Sequence, residues 1–225
     1  MTGQMTGQVE SLAMLADPTR RRLHDAVTTS PDGLSREQAA EAAGVPPHSA
    51  RFHLDRLVEA GLLDVVERRL SGRTGPGAGR PAKVYRRASG TVAVSVPPRR
   101  YDLVASVLAA AVERSLGGEE LAAALADEAR SAGADDARTS VADGDDEERT
   151  TTVLASRGFA PYATDEGIRL RNCPFDALAK DHTALVCGVN RDYVSGVVDG
   201  LGCRGLSAVL DPGEDRCCVR ISRER

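Results

Sequence analysis

The sequence predicts an α+β chain in three parts, residues 1–90, 91–147 and 148–225, and three observations carry that prediction. Helix start and stop signals crowd the segment between Asp17 and Gly61. A Gly-, Pro- and Arg-rich stretch, SGRTGPGAGRP, divides two β-type runs. All five cysteines fall between Cys173 and Cys218, behind a helical middle.

The 225 residues, 41% of them hydrophobic, suffice for one large domain or two small ones around a buried core. No apolar run reaches 18 residues, and MTGQMTGQVE has neither a basic start nor an apolar stretch. A chain without a membrane-spanning or secretory segment, residing in the cytoplasm, is therefore expected. In a reducing cytoplasm cysteines serve as metal ligands or redox thiols more often than as disulfides, and an odd number cannot pair fully within one chain. The net charge of −4 conceals an asymmetry. Residues 1–90 hold 13 Lys and Arg against 10 Asp and Glu, and the remainder 16 against 23. The cationic front is modest support for a nucleic-acid partner.

ADPTRRRLHDAV offers Asp17 as an N-cap and Pro18 in the first turn, where its missing N–H costs nothing. LSREQAAEAAG opens on Ser35 with Gln38 three residues on, a capping box, and stops at Gly44. VPPHSARFHLDRLVEAGLL starts at prolines and ends at Gly61, with Ala50, Leu54, Leu57, Val58 and Gly61 on one stripe. Two helices joined by a tight Gly-Val-Pro turn form a helix-turn-helix. At 100° per residue the stripe centres near Leu54, so His48, Ser49, Phe52 and Arg56 face outward, with Arg51 and His53 on the flanks. Phe52 is either a rim contact or an apolar contact to a thymine methyl in the major groove. His48 and Ser49 occupy the first turn, where recognition helices present base-reading side chains. His53 is equally a packing histidine.

LLDVVERRLSGRTGPGAGRPAKVYRR then reads as a strand, a basic tip and a return strand ending at Val84 and Tyr85, which is a wing. Arg73, Arg80 and Lys83 there suit phosphate or minor-groove contact. Over about residues 10–87 the words LADPTRRRLHDAV, ARFHLDRLVEAGLL and GRPAKVYR resemble the winged helix-turn-helix regulators of the ArsR and DeoR kind. That resemblance implies a homodimer on a palindromic double-stranded operator, with Ser49, Arg51, His53 and the basic wing residues at the DNA.

TVAVSVPPRR is expected to be a linker, extended at its Pro pair. YDLVASVLAAAVERS carries Leu103, Val107, Leu108, Ala111 and Val112 on a helical stripe, and GEELAAALADEARSAG is a second helix. Together they suit a dimer interface, which a reader of palindromes needs, or a local helical layer. The acidic ADDARTSVADGDDEE is expected to be a mobile, solvated connection.

From residue 148, ERTTTVLASRGF predicts a helix ending near Gly158, APYATDEGIRLRNCPF two short strands about an Asp-Glu-Gly turn, DALAKDHTALVCGVNRDYVSGVVDGLG one or two helices, and LSAVLDPGEDRCCVRIS two more strands. Cys173, Cys187, Cys203 and Cys217 are separated by 13, 15 and 13 residues, each at the end or edge of an element. This is not the CxxC knuckle of a zinc finger, so spacing alone names no metal. A strand turns successive side chains to opposite faces, so Cys217 and Cys218 cannot both serve one site in regular geometry. Buried free cysteines are also common as small hydrophobes.

NCPFDALAKDHTALVCGVN followed by RCCVRIS resembles the C-terminal domain of the SufR iron–sulfur repressors, over about residues 148–221. The resemblance implies a four-iron, four-sulfur (4Fe-4S) cluster held by Cys173, Cys187 and one of Cys217 and Cys218. The fourth position falls to Cys203, Cys218, an Asp or Glu, His182 or a small thiol. It also implies a repressor of cluster-assembly (suf) genes whose operator affinity falls when the cluster is oxidised or lost. Zinc or a reversible disulfide in place of the cluster remains an alternative within the regulator class. A cysteine-dependent redox enzyme is disfavoured, because CxxC, GxSxG, phosphate-loop and HExxH motifs are all missing.

Overall fold

A computed structural model describes residues 3–68, 82–213 and 216–223. The chain divides into two compact units, Met1–Val94 and Ser95–Arg225, and both mix helices with an antiparallel sheet. The second unit therefore contains both the middle helices and the cysteine-bearing segment.

In the first unit, helix α1 (Gly3–Met14) precedes α2 (Pro18–Thr29). The Asp17 carboxylate accepts from the N–H groups of Thr19 and Arg20 at 2.8 and 2.9 Å, so two donors left free by the start of α2 are satisfied. A two-residue strand, β1 (Leu34–Ser35), leads into α3 (Arg36–Ala43). Ser35 and Gln38 close a reciprocal capping box, and the helix stops at Gly44, whose φ of 63° is left-handed and favours glycine. The turn delivers the chain to α4 (Pro47–Glu59). Ala39, Ala40 and Ala43 of α3 meet Ala50, Leu54 and Leu57 of α4 over Leu23 and Val27 of α2. Alanines on the facing side let the helices approach closely. Gly61, assigned above to the buried stripe, is instead exposed with φ 68°. It ends α4 by bringing the Leu62 N–H back to the Leu57 carbonyl at 2.9 Å.

Strands β2 (Leu63–Arg68) and β3 (Ala82–Arg87) pair from Leu63↔Arg87 to Arg68↔Ala82, and β1 adds to β3 on its other edge, in the order β1-β3-β2. The buried Tyr85 donates its hydroxyl to the Asp55 carboxylate of α4 at 3.0 Å. Burial, then that hydrogen bond, pushes its pKa up to about 12. The tip between β2 and β3, with Arg73 and Arg80, lies outside the described residues. Two elements were not read from the sequence. Helix α1 is Gly-containing and is tied to α4 by a tertiary bond, Ser11 Oγ donating to the Ala60 carbonyl at 2.8 Å, while Arg20 and Arg21 of α2 donate back to the carbonyls of Met14 and Leu15 at the end of α1 and just after it. Strand β1 is too short for any periodicity.

The second unit runs α5 (Tyr101–Leu116), α6 (Leu121–Arg138), α7 (Asp146–Ser156), β4 (Pro161–Thr164), β5 (Gly167–Leu170), α8 (Asp176–Asp181), α9 (Thr183–Gly200), β6 (Leu206–Leu210) and β7 (Val219–Arg223). Its strands pair antiparallel in the order β4-β5-β7-β6. Ile168, Leu170, Val219 and Ile221 turn inward and share one core with Val186, Tyr193, Val194 and Val197 of α9. Helix α9 packs on β6 and β7 and also on α6. At that second contact the backbones nearly touch: a Cβ on Gly133 would stand 2.0 Å from the Tyr193 carbonyl oxygen, and one on Gly196 would stand 2.0 Å from that of Arg130. Gly196→Ala is therefore expected to force α6 and α9 apart and cost about 1–3 kcal/mol in a urea melt. Gly188→Ala, with open space around the new methyl, is expected to leave the midpoint unchanged or raise it.

Two expectations are corrected here. Most of the acidic stretch expected to be a mobile connection is ordered by its own carboxylates: Ala134–Arg138 completes α6, and Asp145 with Glu148 forms the capping box of α7. Asp136 in that stretch accepts from Arg100 at 2.8 Å and from the Tyr193 hydroxyl at 2.6 Å, and pairs with Arg157 at 3.0 Å. The apolar side of α5 also sits differently. Val104, Val107 and Ala111 are buried, while Val112 is exposed.

Candidate DNA-binding face and thiol centre

In the first unit the outward side of α4 carries His48, Arg51, Phe52 and Arg56, all exposed, with Ser49 and His53 half-buried. Phe52 is 59% exposed on this side of α4. Its ring stands edge-on to His53 at 5.3 Å between centroids, and the Arg56 guanidinium lies 5.8 Å from its centroid. Arg51 pairs with Asp55 at 3.8 Å and Arg56 with Glu59 at 3.2 Å. Such exposed pairs are weak, so both guanidinium groups are available for exchange onto phosphate or base edges. His53 turns Nδ1 into the protein, where it has no hydrogen-bond partner, which suits packing better than base contact. Lys83 is exposed on β3 opposite Glu67.

In the second unit, topology gathers the thiols. Strands β5 and β7 run antiparallel with Arg169 opposite Arg220, so the end of β5 lies beside the start of β7. Cys173 follows β5, Cys217 and Cys218 precede β7, and the Cys217 N–H donates to the Leu170 carbonyl at 3.0 Å. The first half of α9 adds Cys187. Four cysteines from three segments thus meet at one end of the sheet, Cys173 against Cys217 and Cys187 against Cys218. Cys217 and Cys218 both take part because neither lies in regular strand; the alternation of side chains begins only at Val219.

Cys173, Cys187 and Cys217 are electrostatically distinct. A hydrogen bond from Cys217 holds the Cys173 thiol below its ordinary value, against the effect of burial, and the Phe175 N–H helps. Cys217 is pushed up, first by giving that hydrogen bond, then by burial and the neighbouring charge, with the Val219 N–H and the Asn190 amide acting in the opposite sense. Burial and then Cys218 raise Cys187 to about 12. Of Cys173, Cys187 and Cys217, Cys173 therefore ionises first, and N–H groups directed at sulfurs are the environment in which thiolate ligands are found.

Cys203 is not part of this group. It follows the end of α9, and its sulfur lies against α7, 3.6 Å from Arg149 Nη2 and 3.8 Å from Thr150 Oγ1. Burial raises its pKa. Cys203, one of the candidates for the fourth ligand position, therefore lies apart from the other thiols although its spacing in the sequence matches theirs. His182 is exposed between α8 and α9. Asn190, 1% exposed on α9, escaped the sequence reading. Its Nδ2 donates to Cys217 Sγ at 3.1 Å. The available signal was an amide three residues after a cysteine on a mostly apolar helix.

Among the described residues no three His, Cys, Asp or Glu side chains gather closely enough to hold a metal ion. Cys173 neighbours Cys217, and Cys187 neighbours both Cys218 and Cys173. A single zinc needs its sulfurs about 2.3 Å from one centre, whereas a cluster binds each cysteine through a different iron and so spreads them. An all-sulfur donor set with N–H groups directed at it fits such a cluster.

Residues 15–66, from just before α2 into β2, match a family model described as a helix-turn-helix domain. No curated protein and no solved structure matches the chain. The match and the exposed face of α4 make the first unit the DNA-binding module of a transcription regulator. Among the described residues no helix is long and apolar enough to cross a membrane.

Proposed function

We propose that this chain is a homodimeric, cytoplasmic repressor that binds a palindromic operator of iron–sulfur assembly genes and senses through a 4Fe-4S cluster held by Cys173, Cys187, Cys217 and Cys218. The observation that carries this is the convergence of those four thiols, from three segments far apart in sequence, with N–H groups directed at two of the sulfurs. The likeness of NCPFDALAKDHTALVCGVN and RCCVRIS to SufR repressors supports the choice of genes. When bound, such a cluster supplies a redox-active centre whose loss releases the thiolates that hold it. The chain's part is to tie the β5–α8 loop, α9 and the start of β7 together through four side chains.

A homodimer is supported by α5. Tyr101, Val112 and Leu116 are exposed, and together with the exposed Ala105 they form a second apolar stripe beside the buried one. Helix α6 is already covered by α9 of the same chain, so α5 is the middle helix with an apolar face to spare.

Anaerobic purification followed by an absorption spectrum and iron and sulfide analysis tests the proposal. A broad band near ~400 nm with about four irons per chain is expected, and colourless, iron-free protein would remove the cluster. Cys203→Ser is expected to keep the wild-type iron content, since Cys203 lies with Arg149 and Thr150 rather than with the other thiols.

A reversible dithiol switch is the second function the geometry supports, because the thiols meet as Cys173–Cys217 and Cys187–Cys218. Colourless protein that on mild oxidation forms those two bridges, seen by peptide mass mapping, would establish it.

A further inference from the structure

We infer that Asn190 is a positioning residue of the thiol centre, which fixes Cys217 and withdraws charge from its sulfur through an amide N–H. The inference rests on the cluster proposed above and adds a residue outside its ligand set.

Asn190 follows Cys187 by three residues on α9, so the two side chains leave the helix on the same side. Cys217 arrives from the other wall of the centre, ahead of β7. The Asn190 Nδ2 to Cys217 Sγ contact at 3.1 Å joins the two walls directly. The other half of the same amide is left unsatisfied: Oδ1 is buried without any partner. A side chain 1% exposed with one half of its amide unmatched costs stability, because an unpaired buried carbonyl loses its hydration without compensation. An apolar residue would serve a helix core better at this position. The arrangement is accounted for when the donor half has a job that only an N–H can do, which is to meet a sulfur carrying negative charge.

Hydrogen bonds to ligand sulfurs are among the factors that set the potential of an iron–sulfur cluster, since they stabilise the more negatively charged, reduced state. Second-sphere partners of this kind also orient the ligand they touch. Asn190 supplies both effects from a rigid helix whose far side is locked against α6. An aspartate at the same position would have no N–H to offer, and a leucine would fill the space without a donor.

The test is anaerobic redox titration of the full-length protein, followed by absorption and electron paramagnetic resonance. It compares wild type, Asn190→Leu, Asn190→Ala and, as a packing control on the same helix, the fully buried Val194→Ala. Both Asn190 variants are expected to show a more negative midpoint, with the Val194 variant unmoved. Loss of iron from both Asn190 variants, with circular dichroism unchanged and the Val194 variant still loaded, supports the same role through ligand positioning. A loaded Asn190 variant with the wild-type midpoint would overturn the inference while leaving the cluster in place. A wild-type protein that takes up no cluster would overturn both the inference and the function beneath it.

Discussion

Serine in place of Cys173 or Cys217 is expected to abolish the visible absorption of the anaerobically purified protein and to lower bound iron from about four per chain to less than one. These two sulfurs face each other at the junction of β5 and β7, and the Cys173 thiol is held below its ordinary value. A serine hydroxyl is a far harder donor than a thiolate and gives up its proton only at much higher pH. The fold is expected to survive, because Cys173 is only half-buried and the Cys217 backbone N–H keeps its bond to Leu170. Iron analysis beside circular dichroism on the same samples separates loss of the centre from loss of structure. Full iron retention in either variant would remove that cysteine from the ligand set.

The second large effect is expected on DNA. Arg51→Ala should weaken binding to an operator selected from random duplexes by about 1–3 kcal/mol per half-site, roughly 5- to 150-fold. A salt titration tells which kind of contact is lost. If Arg51 meets a phosphate, the slope of log K against log salt falls by about one per half-site while sequence preference is kept. If it meets a base edge, preference at that position relaxes instead. Phe52→Ala should also lower affinity, with little change in salt dependence, because a benzyl group carries no charge to the backbone. Neither variant should lower thermal stability by more than about 0.5 kcal/mol, since both side chains are exposed. Unchanged operator affinity in both would mean that α4 is not the recognition helix.

Much of this architecture was legible in the sequence where local signals dominate. Asp17 with Pro18, Ser35 with Gln38, and Gly44 each specify a helix end through bonds made within a few residues, and all three appear as the sequence implies. The outward placement of Phe52 follows from a 100° step per residue alone. What was not legible depends on contacts between distant segments. Gly133 and Gly196 read as helix-weakening residues, yet they are the points where α6 and α9 touch. Asp136 read as part of a solvated charge run, yet three side chains from other elements converge on it. Cys203 shares the spacing of the other thiols and none of their neighbourhood. Asn190 becomes significant only once β7 brings Cys217 to it.

The two units are joined covalently at Val94 and Ser95, and a regulator requires that the state of one alter the binding of the other. Such coupling has a typical size of about 1–3 kcal/mol. The most direct test is an anaerobic operator titration by fluorescence anisotropy, at one fixed salt concentration, comparing cluster-loaded protein with protein from the same batch after its iron has been removed by a chelator. The loaded form is expected to bind about 5- to 150-fold more tightly, with the difference abolished by Cys173→Ser. Equal affinities for the loaded and stripped forms would contradict the claim that the thiol centre controls the DNA-binding unit.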